Sequence, residues 1–173
     1  MVFSNYSKNW YPDTLKGNEN TNAACLDKIY PKWQEKDASE LKIETVSLRK
    51  VLGIAYKFLS VEYDHNFKPK EFMFFDKHTS FFQNYNRFNS RKRNEIFTED
   101  DIMYLQVGSI YFLTSNGLKR TSILKALGFD KVKATVEKLL VTENISTKII
   151  KDTFTFINSK KERIKDFEYI NDF

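Results

Sequence analysis

Hydrophobic residues recur at intervals of three and four along much of the chain, which is the spacing of one helix face. The stretch 40–63 shows this most clearly, with six apolar side chains in register: Leu48, Val51, Leu52, Ala55, Phe58 and Leu59. We therefore expect a long amphipathic helix there. A second helix is predicted for 102–113, where apolar residues lie on almost every side, as in a helix at the centre of a domain.

Two shorter helices and a hairpin are predicted further along. Residues 121–127 form a short apolar segment that Gly128 ends, and Asp130 then begins a helix that continues to Val141. Beyond it, β-branched residues fill two runs, 147–150 and 153–157, which predict a β-hairpin. The whole pattern predicts a mainly α protein with one small β-hairpin.

Composition divides the chain into four predicted segments. They are an irregular arm, a helical and aromatic-rich N-terminal half, a basic linker and a C-terminal domain, at 1–24, 25–88, 89–97 and 98–173 respectively. The arm is predicted from its many asparagines, and a helix is expected after Asp76. The linker is predicted from its dense positive run, Arg91, Lys92 and Arg93.

Aromatic residues are unusually frequent, with 16 Phe, 9 Tyr and 2 Trp against 5 Gly and 3 Pro. So few helix breakers favour long helices over a turn-rich β-sandwich. Eleven of the rings lie between Tyr56 and Phe88, interleaved with cations. We expect most of them to pack in a core, which would join the two halves. Exposed rings would instead stack unpaired bases or contact a protein partner.

Candidate catalytic chemistry is sparse. Cys25 is the single cysteine, which excludes an internal disulfide and a thiolate zinc cluster. The two histidines, His65 and His78, each follow a carboxylate, but neither accompanies a nucleophile motif, a phosphate-binding loop or a spacing of metal ligands. We therefore expect no enzymatic activity, cofactor, metal site or small-molecule substrate.

The order of predicted elements in 98–158 resembles the winged helix-turn-helix superfamily. That order is buried helix, short helix, glycine turn, outer helix and hairpin, with Leu127-Gly128-Phe129-Asp130 at the turn. Lys133-Ala134 stands where many members have a Thr-Val pair. The resemblance implies a C-terminal winged helix, and the periodicity of the N-terminal half adds a helical N-terminal part to the expected fold. It also implies an outer helix that enters a DNA major groove and a hairpin wing that touches the backbone.

Charge agrees with a nucleic-acid partner. The chain has a formal net charge of +5, and between Leu118 and Lys165 twelve basic residues stand against five acidic ones. Lysine and arginine bind phosphates and release counterions, so this segment is the expected contact region. The predicted nucleic-acid-binding residues are Arg91, Lys92, Arg93, Lys119, Arg120, Lys131, Lys133, Lys138, Lys148 and Lys151.

Two functions are compatible with the sequence. The first is a non-catalytic winged-helix protein that binds DNA, rather than RNA, within a larger complex. The second is a protein–protein interaction subunit that uses the winged helix as a docking platform. The chain is also similar, more weakly, to the tandem winged-helix C-terminal half of the Stn subunit of telomere-capping complexes. That similarity would imply single-stranded telomeric DNA and polymerase contacts.

No stretch approaches the roughly 18 uninterrupted apolar residues that span a bilayer. We therefore expect an intracellular protein without membrane contact. In a eukaryote its expected place is the nucleus, and otherwise the cytoplasm.

Overall fold

A computed structural model describes residues 24–55, 80–114 and 117–171. Within these ranges the chain forms six strands and four α-helices. The strands are β1 (Ala24–Cys25), β2 (Lys42–Ser47), β3 (Val51–Ile54), β4 (Thr98–Val107), β5 (Ile110–Leu113) and β6 (Lys131–Lys138). The helices are α1 (Leu26–Ile29), α2 (Ser80–Asn89), α3 (Leu118–Leu127) and α4 (Glu143–Asn171). Two 3-10 helices cover Glu35–Asp37 and Leu48–Lys50.

All six strands belong to one mixed sheet in the order β1-β3-β5-β4-β6-β2. β3 is parallel to both β1 and β5, and β4 is parallel to β6. β5 runs antiparallel to β4, and β2 runs antiparallel to β6. The molecule is therefore an α/β protein, and the predicted mainly α fold is wrong.

The helix predicted for 102–113 is a hairpin made of β4 and β5. Gly108, at φ 56°, and Ser109 form its turn, and the strands pair from Val107↔Ile110 to Tyr104↔Leu113. Both strands have helices on both of their faces. A strand covered on both sides is apolar at nearly every position, as a buried helix is, so periodicity could not separate the two.

The predicted outer helix is a strand, and the predicted hairpin wing is a helix. Residues 131–138 are the strand β6, where Val132, Ala134 and Val136 are buried while Lys131 and Lys133 are exposed. The predicted hairpin at 147–157 is instead part of α4. The helix predicted for 40–63 is β2, a 3-10 helix and β3 in its described part. The winged-helix layout is thus absent from these elements.

Several local predictions are confirmed. The short helix before Gly128 is α3, and Gly128 ends it in the left-handed conformation with φ 81°. A helix does follow Asp76, described here from Ser80 as α2. Phe88 is fully buried, as expected of the aromatic core. The arm as far as residue 23 and the aromatic residues of 56–79 lie outside the described residues.

The sheet is strongly curved, because the link from β2 to β3 is very short. β2 is at one edge of the sheet, and β5, β4 and β6 lie between it and β3. Four strand spacings in a flat sheet would measure about 19 Å. The link is the three-residue helix Leu48–Lys50, which could span no more than about 14 Å even if fully extended. The β2 edge therefore bends back towards β3 and β5.

Contacts on the concave face of the sheet agree with this bend. Val46 of β2 and Val51 of β3 belong to one buried cluster with Tyr104 and Tyr111. Burial, followed by the Glu44 carboxylate of β2, raises the pKa of the Tyr111 hydroxyl on β5. β2 therefore approaches β3 and β5 across the concave face.

Helices cover both faces of the sheet. On the concave face, Phe88 of α2 and Leu124 of α3 complete the buried cluster. On the convex face, Leu26 of α1 and Ile149 of α4 pack against Phe112 in a second cluster. The convex surface of β2 and of the first half of β6 stays exposed beside these helices.

Gly53→Ala is expected to destabilise the protein by about 1–3 kcal/mol, because overpacking a buried strand forces its neighbours apart. A Cβ on Gly53 would lie against the Phe112 ring and 2.6 Å from the Ala24 carbonyl oxygen. Urea unfolding would measure the loss. Ser109→Ala, in the exposed hairpin turn, is the control and should change stability by about 0.5 kcal/mol or less. Equal effects of the two changes would contradict the close approach at Gly53.

Candidate nucleic-acid interface

A group of cations lies at the end of the sheet where β6 begins. We call this group the basic end. Its members come from the 3-10 helix after β2, from the loop after α2 and from β6: Arg49, Lys50, Arg91, Lys92, Arg93, Lys131 and Lys133.

Backbone pairing places the 3-10 helix beside the start of β6. The Leu48 N–H donates to the Asp130 carbonyl oxygen at 2.9 Å, and Ser47 pairs with Lys131. Arg49 and Lys50 follow directly and are exposed. The link that bends the sheet therefore also brings two cations to β6.

The loop after α2 reaches the same place from the other side of β6. The Lys133 N–H donates to the Phe97 carbonyl oxygen at 2.9 Å. The Arg93 guanidinium lies over the Phe129 ring at 5.2 Å from its centroid, and Arg91 lies over the Phe97 ring at 4.5 Å. Cation–π contacts of this kind hold both arginines against the protein.

Hydrogen bonds fix the two arginines further. Arg93 donates to the carbonyl oxygen and the side-chain oxygen of Asn89 and to the Arg91 carbonyl oxygen, at 2.7–3.3 Å. Arg91 pairs with Glu95 at 3.3 Å. Arg91 and Arg93 are half-buried, so much of their role is to shape the loop, while Lys92 between them is exposed.

The exposed cations of the basic end are available to a ligand. Within the described ranges no carboxylate lies in ion-pair distance of Arg49, Lys50, Lys92, Lys131 or Lys133. The acidic residues interspersed among them are fewer: Glu95, Asp100 and Asp130. The surface therefore carries an excess of positive charge.

The rings beneath this surface are not available for stacking. Phe88, Phe97 and Phe129 pack on one another with centroids 5.5–6.5 Å apart, and each is at most 8% exposed. Stacking of unpaired bases requires an exposed ring face. The described part of the basic end thus offers cations to a ligand, and the rings beneath it belong to the core.

The predicted site residues do not all meet at this surface. Arg91, Lys92, Arg93, Lys131 and Lys133 do. Lys138 lies at the other end of β6, with its Nζ 3.8 Å from Glu44 Oε1. Lys148 and Lys151 are exposed on α4. Lys119 belongs to α3, and its side chain lies outside the described part.

Arg120, also predicted to bind nucleic acid, is occupied by carboxylates instead. Its Nη1 lies 3.1 Å from Glu99 and 2.6 Å from Asp101, and its side chain is 16% exposed. Arg87 of α2 reaches the other oxygen of Glu99 at 2.6 Å. The hydrogen bond from Arg120 lowers the pKa of Asp101. This cluster joins β4, α2 and α3, so its role is structural.

Glu99→Gln is expected to lower stability by about 1–3 kcal/mol, because a buried carboxylate that faces two guanidinium groups would lose its charge. Glu95→Gln is the matched control, since Glu95 also accepts from an arginine but its side chain is 43% exposed. We expect the control to change stability by about 0.5 kcal/mol or less. Denaturant unfolding of both variants measures the difference, and equal losses would contradict a structural role specific to Glu99.

Lys125 of α3 holds the link between β2 and β3. Its Nζ donates to the carbonyl oxygens of Leu48 at 2.7 Å and of Val51 at 2.8 Å, one at each side of the 3-10 helix. Lys125 as a whole is half-buried, and its ammonium group is held against the protein by these two carbonyl oxygens. Loss of hydration lowers the pKa of Lys125 to about 8.

Lys125 should make stability depend on pH. Above a pH of about 8 the folded protein carries a neutral amine, while the unfolded chain stays protonated up to 10.5. The unfolded state then binds more protons, so stability rises with pH in that window, by up to about 2 kcal/mol between neutral pH and about pH 9.5.

The variant Lys125→Met should lose this rise, and it should also be less stable because two carbonyl groups lose their donor. Urea unfolding at neutral pH and at about pH 9.5 measures the free energy of unfolding of each variant. Lys148→Met, at an exposed lysine of α4, should keep the wild-type rise. An unchanged pH dependence in Lys125→Met would contradict the assignment.

Within the described residues, no helix is both long enough and apolar enough to cross a membrane. Comparisons with protein-family models, with curated proteins and with solved structures gave no match for this chain.

Proposed function

We propose that this protein is a non-catalytic DNA-binding protein that holds the phosphate backbone on its basic end. The observation that carries the proposal is the convergence of cations from three segments that are distant in sequence. A group of exposed cations attracts a polyanionic ligand. Phosphate groups are such a ligand, and their neutralisation releases counterions.

The pairing of β2 with β6 supports a phosphate contact. Lys131 lies opposite Ser47, and Lys133 lies opposite Thr45. Alternate residues of a strand share one face at a spacing of about 6.6 Å. The convex surface therefore presents two lysines beside two hydroxyls, and both groups are common partners of phosphate oxygens.

The mode of binding differs from that of a winged helix. Within the described residues, the only helical part of the basic end is the three-residue 3-10 helix that carries Arg49 and Lys50, so helix insertion into a major groove is not proposed. Among the described residues, the rings beneath the basic end are buried and give no platform for unpaired bases, which favours duplex DNA over single strands. Binding through phosphates alone is largely independent of base sequence and strongly dependent on salt. Nuclear location in a eukaryote, and cytoplasmic location otherwise, follows from this proposal.

Fluorescence anisotropy with labelled duplex DNA, duplex RNA and single-stranded DNA at several salt concentrations tests the proposal. The variant Lys131→Ala/Lys133→Ala should bind duplex DNA roughly tenfold more weakly or worse. The slope of log affinity against log salt should fall by about 2 in magnitude, one unit for each lost phosphate contact. The matched control is Lys148→Ala/Lys151→Ala, which removes two exposed lysines of α4.

The control variant should bind like the wild type. No binding to any of the oligonucleotides at low salt would refute the proposed function. Equal losses in the two double variants would show that net charge, and not the basic end, determines binding. Tighter binding to single-stranded DNA than to the duplex would refute the proposed choice of ligand.

A further inference from the structure

The outer edge of β2 is open in the described part of the protein. β2 pairs with β6 on one side, and no described strand pairs with it on the other. Two large apolar side chains beside this edge are exposed, Leu41 at 53% and Ile43 at 58%. An unpaired strand edge with exposed apolar side chains is a template for another strand.

The charges of β2 alternate in sign along one face. Lys42 and Glu44 point to the concave side, while Ile43 points to the convex side with Thr45. A uniformly charged edge would repel a second copy of itself. Here the order lysine, isoleucine, glutamate is self-complementary when the strand is reversed.

We propose that two copies of this chain pair β2 with β2 in an antiparallel manner, about a twofold axis at Ile43. In this register each Lys42 faces Glu44 of the second copy, so two pairs of opposite charge form on the concave side. Ile43 meets its own copy on the convex side, and Leu41 lies opposite Thr45. The same surface patch serves both protomers, as a twofold interface requires.

Other registers of the same pairing are less favourable. In an antiparallel pair, directly opposite residues lie on the same face of the sheet. The twofold axis must therefore pass midway between the two copies of one residue. An axis at Lys42 would place two lysines together, and an axis at Glu44 would place two glutamates together. An axis at Leu41 would use Glu40, but Glu40 and Leu41 lie outside β2. Ile43 is thus the centre that keeps both charge pairs within the strand.

A cleft beside this edge fits the partner's lysine. It has a volume of about 280 Å³ and is lined by Ser39, Glu40, Lys42, Glu44, Val136 and Lys138. Glu44 Oε1 already lies 3.8 Å from Lys138 Nζ of the same protomer, so the second oxygen of Glu44 and the Glu40 carboxylate are the acceptors for an added ammonium group. Lys42 of the second copy, facing Glu44, would reach the cleft from the open side.

Sedimentation velocity over a range of protein concentrations tests the proposal with the full chain. The wild type should show a reversible monomer–dimer equilibrium. Lys42→Glu and Glu44→Lys should each weaken the dimer roughly tenfold or more, because like charges then face each other twice. The double swap Lys42→Glu/Glu44→Lys restores opposite charges and should recover most of the affinity. Lys148→Glu is the control, because it reverses an exposed charge on α4 and not at the β2 edge, and it should leave the dimer affinity unchanged.

Circular dichroism and thermal unfolding are used first to check that each variant is folded. Only then is its sedimentation compared with that of the wild type. A wild type that stays monomeric at every concentration would overturn the proposal. A double swap no better than the single changes would also overturn it. A Lys148→Glu variant that weakens the dimer as much as Lys42→Glu does would show that net charge determines association, and would overturn the pairing of β2 edges. None of these outcomes depends on nucleic-acid binding.

Discussion

The short link between β2 and β3 is the constraint on which the rest of the structure depends. Three residues cannot cross a flat sheet of this strand order, so the sheet bends and a single hydrophobic cluster fills its concave side. Lys125 holds both sides of the link through the carbonyls of Leu48 and Val51, at the cost of burying an ammonium group. The link also carries Arg49 and Lys50, which the pairing of β2 with β6 places at the start of β6. The same three residues therefore contribute to core closure and to the candidate interface.

The sequence predicted elements correctly where the signals are local, and failed where tertiary packing decides. Gly128 ends α3 because a left-handed residue stops a helix regardless of its surroundings. At 147–157, β-branched residues suggested strands, but Ile149, Thr153 and Ile157 are spaced by four and are buried along α4. Burial of that helix face outweighs the weak intrinsic preference of β-branched residues for strands. The hairpin of β4 and β5 was missed because both of its faces are covered.

The sequence predicted only part of the candidate site, and the reason is the geometry of β6. Lys131 and Lys138 are seven residues apart, so on a helix they would share a face, whereas on a strand they point to opposite faces. A helix over 130–141 would therefore place Lys131 beside Lys138 and away from Lys133. Lys131 and Lys133 diverge on a helix but lie side by side on β6. Arg49 and Lys50 were missed because their nearness to β6 comes from a link between strands that sequence periodicity does not reveal.

β2 combines three roles because its residues alternate between faces. Its concave side carries Val46 in the core and the charges of Lys42 and Glu44 near the edge. Its convex side places Thr45 and Ser47 beside the lysines of β6. A slip of one residue in the pairing with β6 would expose Val46 and turn the hydroxyls inwards. The core, the phosphate surface and the open edge are therefore specified together by one strand register, which the bend after Ser47 fixes.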